Sequence, residues 1–138
     1  FDCSLYNAAR IIELWSRTEG KSFSSELNRL APNLPTTGEV KVPCAEDKKL
    51  ETVAAIQGAF DDYESSTIDG IRVRFNNDST GEQIGWYLAR KSNTEPILVM
   101  RVEAVDEVVL KALLALIQQR VSPIINIDKL SEVKGAVV

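Results

Sequence analysis

Histidine is absent from all 138 residues of this chain. That removes a Ser-His-Asp or Cys-His nucleophile pair and any histidine-ligated metal. Cysteine is scarce: Cys3 and Cys44 alone give neither a disulfide framework nor zinc spacing. A reduced, cytoplasmic setting is the expectation. Glycine-rich nucleotide loops of either common pattern are missing. No apolar run approaches the roughly 18 residues of a membrane span. The opening Phe1-Asp2-Cys3-Ser4 does not read as a signal peptide, so no membrane partner is expected. Lys and Arg number 16 against 20 Asp and Glu, a net charge of −4 with no basic block. Nucleic acid, which requires a basic footprint, is therefore not an expected partner. On this inventory the chain is not expected to catalyse a reaction alone.

What remains is an ordinary globular composition, with a length suited to about one domain. Leu5, Ala8, Ala9, Ile12 and Trp15 recur at helical spacing and predict a first helix that Gly20 ends. Ser22 caps a predicted second helix with Phe23, Leu27 and Leu30 on one face, stopped by Pro32 and Pro35. Two helices bury little without a partner, and the chain opens on an aromatic. A piece cut from a larger protein is expected.

From Thr36 the pattern changes. Glu39-Val40-Lys41-Val42 alternates as a strand, and Pro43 ends it. Glu46 and Asp47 place negative charge at a helix start, and Leu50, Val53, Ala54, Gln57 and Phe60 continue that helix. Ile68-Asp69-Gly70-Ile71 is the strongest hairpin signal. Ile71, Val73 and Phe75 then alternate with Arg72 and Arg74, which predicts one buried and one solvated face. After a polar turn at residues 76–81, Trp86, Leu88 and Arg90 alternate with Tyr87 and Ala89. Residues 97–104 read as a central strand. Asp106 caps a last helix through Val109, Leu113, Leu116, Ile117 and Arg120, with Pro123 beyond it. Residues 124–130 fit either an added strand or a packed tail. The order β-α-β-β-β-α predicts an α+β domain, an antiparallel sheet with its helices on one face, preceded by two helices.

Between two strands lies Arg90-Lys91-Ser92-Asn93-Thr94-Glu95-Pro96. A guanidinium, two hydroxyls, an amide and successive backbone N–H groups suit a phosphate. The same residues also make an ordinary turn. Glu95, an acid beside a dianion, is expected to point away or to support the loop. Arg101 fits an ion pair with Glu103 or Asp106, or a reach towards the loop; a supporting role is favoured. Trp15 and Trp86 are read as core, Arg72 and Arg74 as a solvated sheet face. Glu46-Asp47 and Asp61-Asp62 are read as a helix start and a solvated helix end, with no metal site.

These segments together resemble the α-D-phosphohexomutases, the bacterial phosphomannomutases and phosphoglucomutases. Leu5 to Arg10 with Glu13 resembles the end of that family's third domain. Thr36-Thr37-Gly38-Glu39-Val40 resembles the entry to its fourth. Asp69-Gly70-Ile71, Gly85-Trp86, Arg90 to Pro96 and Arg101 to Ala104 resemble the fourth domain's signatures. The resemblance implies a remnant of the third domain over residues 1–35. It implies a C-terminal phosphate-binding domain with a TATA-box-binding-protein-like sheet over residues 36–138.

It further implies that Arg90, Ser92, Asn93 and Thr94 grip the non-reacting phosphate of a phosphosugar, with Lys91 and Arg101 in support. Domains one to three of the same enzyme are the implied partners. They would carry the phosphoserine, the Mg²⁺ and the sugar-reading loop, whose motifs this chain lacks. The parent would interconvert hexose 1-phosphate and hexose 6-phosphate through a bisphosphorylated sugar, as an intramolecular phosphotransferase. Two other readings stand: the same domain of a phosphoglucosamine or N-acetylglucosamine-phosphate mutase, or a non-enzymatic αβ interaction module.

Overall fold

A computed structural model describes residues 3–17, 20, 22–25 and 34–131. The chain divides into two compact units, Phe1–Asn33 and Leu34–Val138.

In the first unit, helix α1 spans Ser4–Ser16. The expected apolar stripe forms, but no residue of α1 is buried. Leu5, Ile12 and Trp15 are exposed, which corrects the reading of Trp15 as core. The unit offers no second apolar layer among its described residues, and Trp15 meets the edge of Phe23, with ring centroids 5.7 Å apart. Glu13 holds Arg10 and Arg17 on one side of α1 through i,i+3 and i,i+4 pairs. The cap at Ser22 forms, its hydroxyl accepting from the Ser25 N–H at 3.2 Å. Leu27 and Leu30 lie outside the described residues.

The second unit is an antiparallel sheet in the order β1-β5-β4-β3-β2. Its strands are β1 Val40–Pro43, β2 Ser65–Ser66, β3 Ile71–Asn76, β4 Gln83–Lys91 and β5 Ile97–Ala104. The apolar-run strand, β5, takes an interior place between β1 and β4, as its composition requires. Pro43 is the last residue of β1, where an edge strand tolerates a missing N–H. The expected hairpin forms at residues 67–70, but its first arm is the two-residue β2, which adds a fifth strand to the four that were read.

A 3₁₀ turn at Glu46–Lys48 leads into helix α2, Lys49–Gly58. Helix α3 spans Glu107–Val121, and Asp106 caps it by accepting from the Val109 N–H at 2.8 Å. Both helices lie against the sheet on one side. Between them and the sheet, Ile56, Phe60, Val73, Tyr87, Leu98, Met100, Val102 and Ile117 are fully buried. Gly85 lets α3 sit close, since a Cβ there would stand 2.5 Å from the Leu113 side chain. Residues 124–130 form no strand. They turn into a short helix, α4 (Asp128–Ser131), and Ile127 and Leu130 sink into the core. Asp62 is not simply solvated: its carboxylate accepts two bonds from the Arg120 guanidinium, at 2.5 and 2.8 Å.

The opposite face of the sheet is open. Strand parity puts Arg72 and Arg74, then Trp86, Leu88 and Arg90, then Val99, Arg101 and Glu103 on it. Trp86 is therefore half-buried on the open face, not in the core where it was expected. The Arg72 and Arg101 guanidinium groups stand 4.7 and 5.7 Å from its ring centroid, and its indole N–H donates to Glu103 at 3.2 Å. No helix among the described residues is long and apolar enough to cross a membrane.

Candidate functional site

The last residues of β4, Arg90 and Lys91, and the five-residue connection to β5 make one cluster. Ser92 is its hub. The Ser92 N–H donates to the Ile97 carbonyl at 3.1 Å, closing the connection as a hairpin loop. The Ser92 Oγ accepts from the N–H groups of Thr94 and Glu95 at 3.3 and 3.2 Å. The Ser92 carbonyl accepts from Lys49 Nζ at 2.9 Å. A serine hydroxyl has two acceptor positions and one donor. Both acceptor positions are taken here, and the remaining proton has no acceptor among the described residues. Two N–H groups donating into a hydroxyl also polarise it, which strengthens the bond it can give outward.

Arg90 is the matching charge. Parity places it on the open face opposite Val99. Among the described residues it is the one arginine with no hydrogen bond, ion pair or aromatic ring. Arg10 and Arg17 meet Glu13, Arg74 meets Glu64, Arg120 meets Asp62, Arg101 meets Glu103 and Arg72 lies against Trp86. A half-buried guanidinium without a partner, two residues from a hydroxyl with an unspent proton, can receive an anion without first breaking an ion pair. Asn93 and Thr94 are exposed on the same loop. The Asn93 side-chain oxygen accepts from Lys91 Nζ at 3.1 Å, which leaves the amide's NH₂ outward-capable.

Glu95 turns away from this group, as its charge required. Its carboxylate accepts from Lys41 Nζ of β1 at 2.8 Å, and that bond raises the lysine above its ordinary value. Arg101 pairs with Glu103 at 3.2 Å rather than with Asp106, which caps α3. Two residues along β5 from Val99, it is a diagonal neighbour of Arg90, but its terminal nitrogen and its ring contact are on the Trp86 side.

Two supports were not read from the sequence. Gln57 donates to the Gly70 carbonyl at 2.9 Å, and Gly70, at φ +78°, lays the hairpin turn against the backbone of Arg90. Lys49 is buried to 2% exposure. Its spacing carried a signal: it falls in register with Val53, Ile56 and Phe60, an inward lysine on an apolar stripe. Among the described residues no group of three or more Asp, Glu or Cys is placed to hold a metal ion, so no magnesium site is assigned to them.

Comparison with known proteins now bears on this geometry. The sequence model of a family described as phosphoglucomutase/phosphomannomutase, C-terminal domain, matches residues 39–120. A phosphomannomutase/phosphoglucomutase of Pseudomonas putida is 38% identical over 106 residues, covering 75% of this chain and 21% of that protein. A phosphoglucosamine mutase of Methanococcus aeolicus is 35% identical over 98 residues, covering 67% of this chain and 20% of that protein. The crystal structure of a phosphoglucomutase/phosphomannomutase family protein from Burkholderia thailandensis superposes with a TM-score of 0.64 at 30% identity, over 91% of this chain and 25% of its own. The chain thus spans about a fifth of the length of the curated relatives it matches.

Proposed function

The chain belongs to the phosphoglucomutase/phosphomannomutase family as its C-terminal domain, and from that premise we propose that the domain over residues 36–138 grips the non-reacting phosphate of a hexose phosphate. The single observation that carries the reading is the pairing of an uncommitted guanidinium, Arg90, with an uncommitted hydroxyl proton, Ser92, on one loop. Arg90 supplies the charged fork, and Ser92, Thr94 and the Asn93 amide supply neutral donors. Lys91 adds charge at the rim and Arg101 supports from β5.

Such a grip reads phosphate and not sugar. It suits an enzyme that must hold the 1-phosphate end in one half-reaction and the 6-phosphate end in the other. Binding energy won at that distal end holds the reacting end in place. The reaction belongs to the parent enzyme, an intramolecular phosphotransferase working through a bisphosphorylated sugar. Its phosphoserine and Mg²⁺ would lie in domains one to three, which are also this domain's partners, and residues 1–35 would be the end of the third. No metal step is assigned to this chain. An amino-sugar phosphate is a second substrate reading, favoured by the likeness to the Methanococcus aeolicus relative.

The test is a titration of the 138-residue chain with inorganic phosphate and with glucose 6-phosphate, followed by amide resonances. Millimolar shifts centred on Ser92, Asn93 and Thr94, similar for both, are expected. Shifts elsewhere with these three unmoved would overturn the phosphate reading.

A further inference from the structure

We infer that Lys49 is a positioning residue for the phosphate loop, acting through the Ser92 carbonyl. The inference rests on the phosphate reading above and goes to what keeps that site in shape. A loop offered to a dianion has a difficulty: its carbonyl oxygens repel the ligand that its N–H groups attract. Ser92 is the residue where this matters most, because its hydroxyl is the inward end of the donor set. Lys49 removes the conflict. Its ammonium, buried beneath the loop, takes the Ser92 carbonyl at 2.9 Å, so that oxygen is turned inward and spent. With the Ser92 N–H fixed on Ile97 and its Oγ fixed by two N–H groups, the one direction left to the hydroxyl proton is outward.

A buried ammonium needs a counter-charge and further hydrogen bonds. Glu46, three residues earlier at the helix start, provides the first at 2.5 Å, while remaining largely exposed itself. The arrangement spans two elements: the 3₁₀ turn supplies the carboxylate, α2 the ammonium, and the β4–β5 loop the carbonyl. A lysine there for burial alone would be a poor choice. Leucine or methionine would fill the same space beside Val53 and Ile56 without desolvating a charge.

The experiment compares the 138-residue chain with its Lys49→Met variant, which keeps the bulk and loses the cation. Two readouts are taken: the dissociation constant of inorganic phosphate, and amide hydrogen exchange at Thr94, Glu95 and Tyr87. Positioning predicts phosphate binding weaker by about tenfold, the scale of one charge-assisted bond lost. It also predicts faster exchange at Thr94 and Glu95 with Tyr87, at the sheet centre, unchanged. Exchange raised equally at all three sites, or an unchanged dissociation constant, would overturn it. Should Lys49→Met fail to fold, Glu46→Ala at its exposed position loosens the same ammonium. A two- to threefold loss of phosphate affinity (roughly half a bond's worth) with faster Thr94 exchange supports the inference, and no change in either refutes it. If phosphate moves no loop amide in the unaltered chain, the phosphate reading fails by itself. The exchange comparison then still decides whether Lys49 holds the loop.

Discussion

A Cβ on Gly70 would stand 2.7 Å from the Cα of Arg90 and 2.2 Å from the carbonyl oxygen of Ala89. The hairpin turn before β3 thus rests directly on the backbone that launches the guanidinium. Only a residue without a side chain fits there, and the positive φ of +78° selects glycine a second time. Gly70→Ala should destabilise the domain by roughly 2–4 kcal/mol, the sum of left-handed strain and overpacking. Chemical denaturation checks it. A loss below about 0.5 kcal/mol, the range of a neutral surface change, would mean the turn moves aside freely.

The grip should be unequal among its members. In an enzyme carrying this domain, Arg90→Ala should cost roughly 2–4 kcal/mol of binding, because a charge-assisted fork is lost. Thr94→Ala should cost about 1 kcal/mol. Ser92→Ala should cost more than Thr94→Ala, since it also strands the N–H groups of Thr94 and Glu95. Lys91→Ala should cost least. Steady-state kinetics with 1-phosphate and 6-phosphate substrates would show it, with part of the Arg90 loss in kcat. Equal losses at all four positions would contradict the hub arrangement.

Tyr87 is fully buried, and burial pushes its phenol above the ordinary value of 10.0. Among the described residues its hydroxyl donates only to the Met100 sulfur, at 3.4 Å, a weak acceptor. Tyr87→Phe should therefore change stability at pH 7 by no more than about 1 kcal/mol. The sign at high pH follows from the raised value. The folded state keeps the proton that the unfolded state loses, so Tyr87's contribution is whole below pH 10.0 and falls as pH rises beyond it. Denaturation midpoints should fall more steeply above that pH in the unaltered chain than in Tyr87→Phe. Parallel falls would show that Tyr87 does not titrate with unfolding.

The bond from Arg120 holds the Asp62 carboxyl below its ordinary 3.8. Its contribution is present above 3.8 and is lost as pH falls through the lower folded value. Asp62→Asn should lower the denaturation midpoint at pH 7 by a small amount, and the gap to the unaltered chain should close at still lower pH. A gap that persists in strong acid would point to packing of Arg120 on Tyr63, 4.9 Å away, as the real contribution.

In α1 every apolar side chain is at least partly exposed, whereas α2 buries Val53 and Ile56. Amide exchange in Ser4–Ser16 should be faster than in Lys49–Gly58. The reverse order in a demonstrated monomer would show that α1 has a cover of its own.

Much of the sheet was legible because period-two alternation survives translation into structure: Ile71, Val73 and Phe75 point in, Arg72 and Arg74 out. Trp86 was misplaced although its parity is that of Arg90, because an aromatic on a strand is judged by hydrophobicity before face. Lys49 was passed over for the opposite reason: charge hid its place on an apolar stripe. Asp62 and residues 124–130 depend on α3 and on the core beneath it, partners distant in sequence. The loop residues themselves were legible by inventory. Which of their atoms are already spent was not, because that depends on Lys49 and Ile97.

Val40 pairs with Met100 and Pro43 with Ile97, so β1 must wait for the strand that lies furthest from it in the chain. During synthesis β3 can find β4 as soon as both emerge, while β1 is left without a partner until β5 follows. Long-range closure of this kind slows folding. Lys41 of β1 is also the residue that fixes Glu95. The loop between β4 and β5 therefore acquires its last tether only when β5 has been made and β1 has come back to meet it.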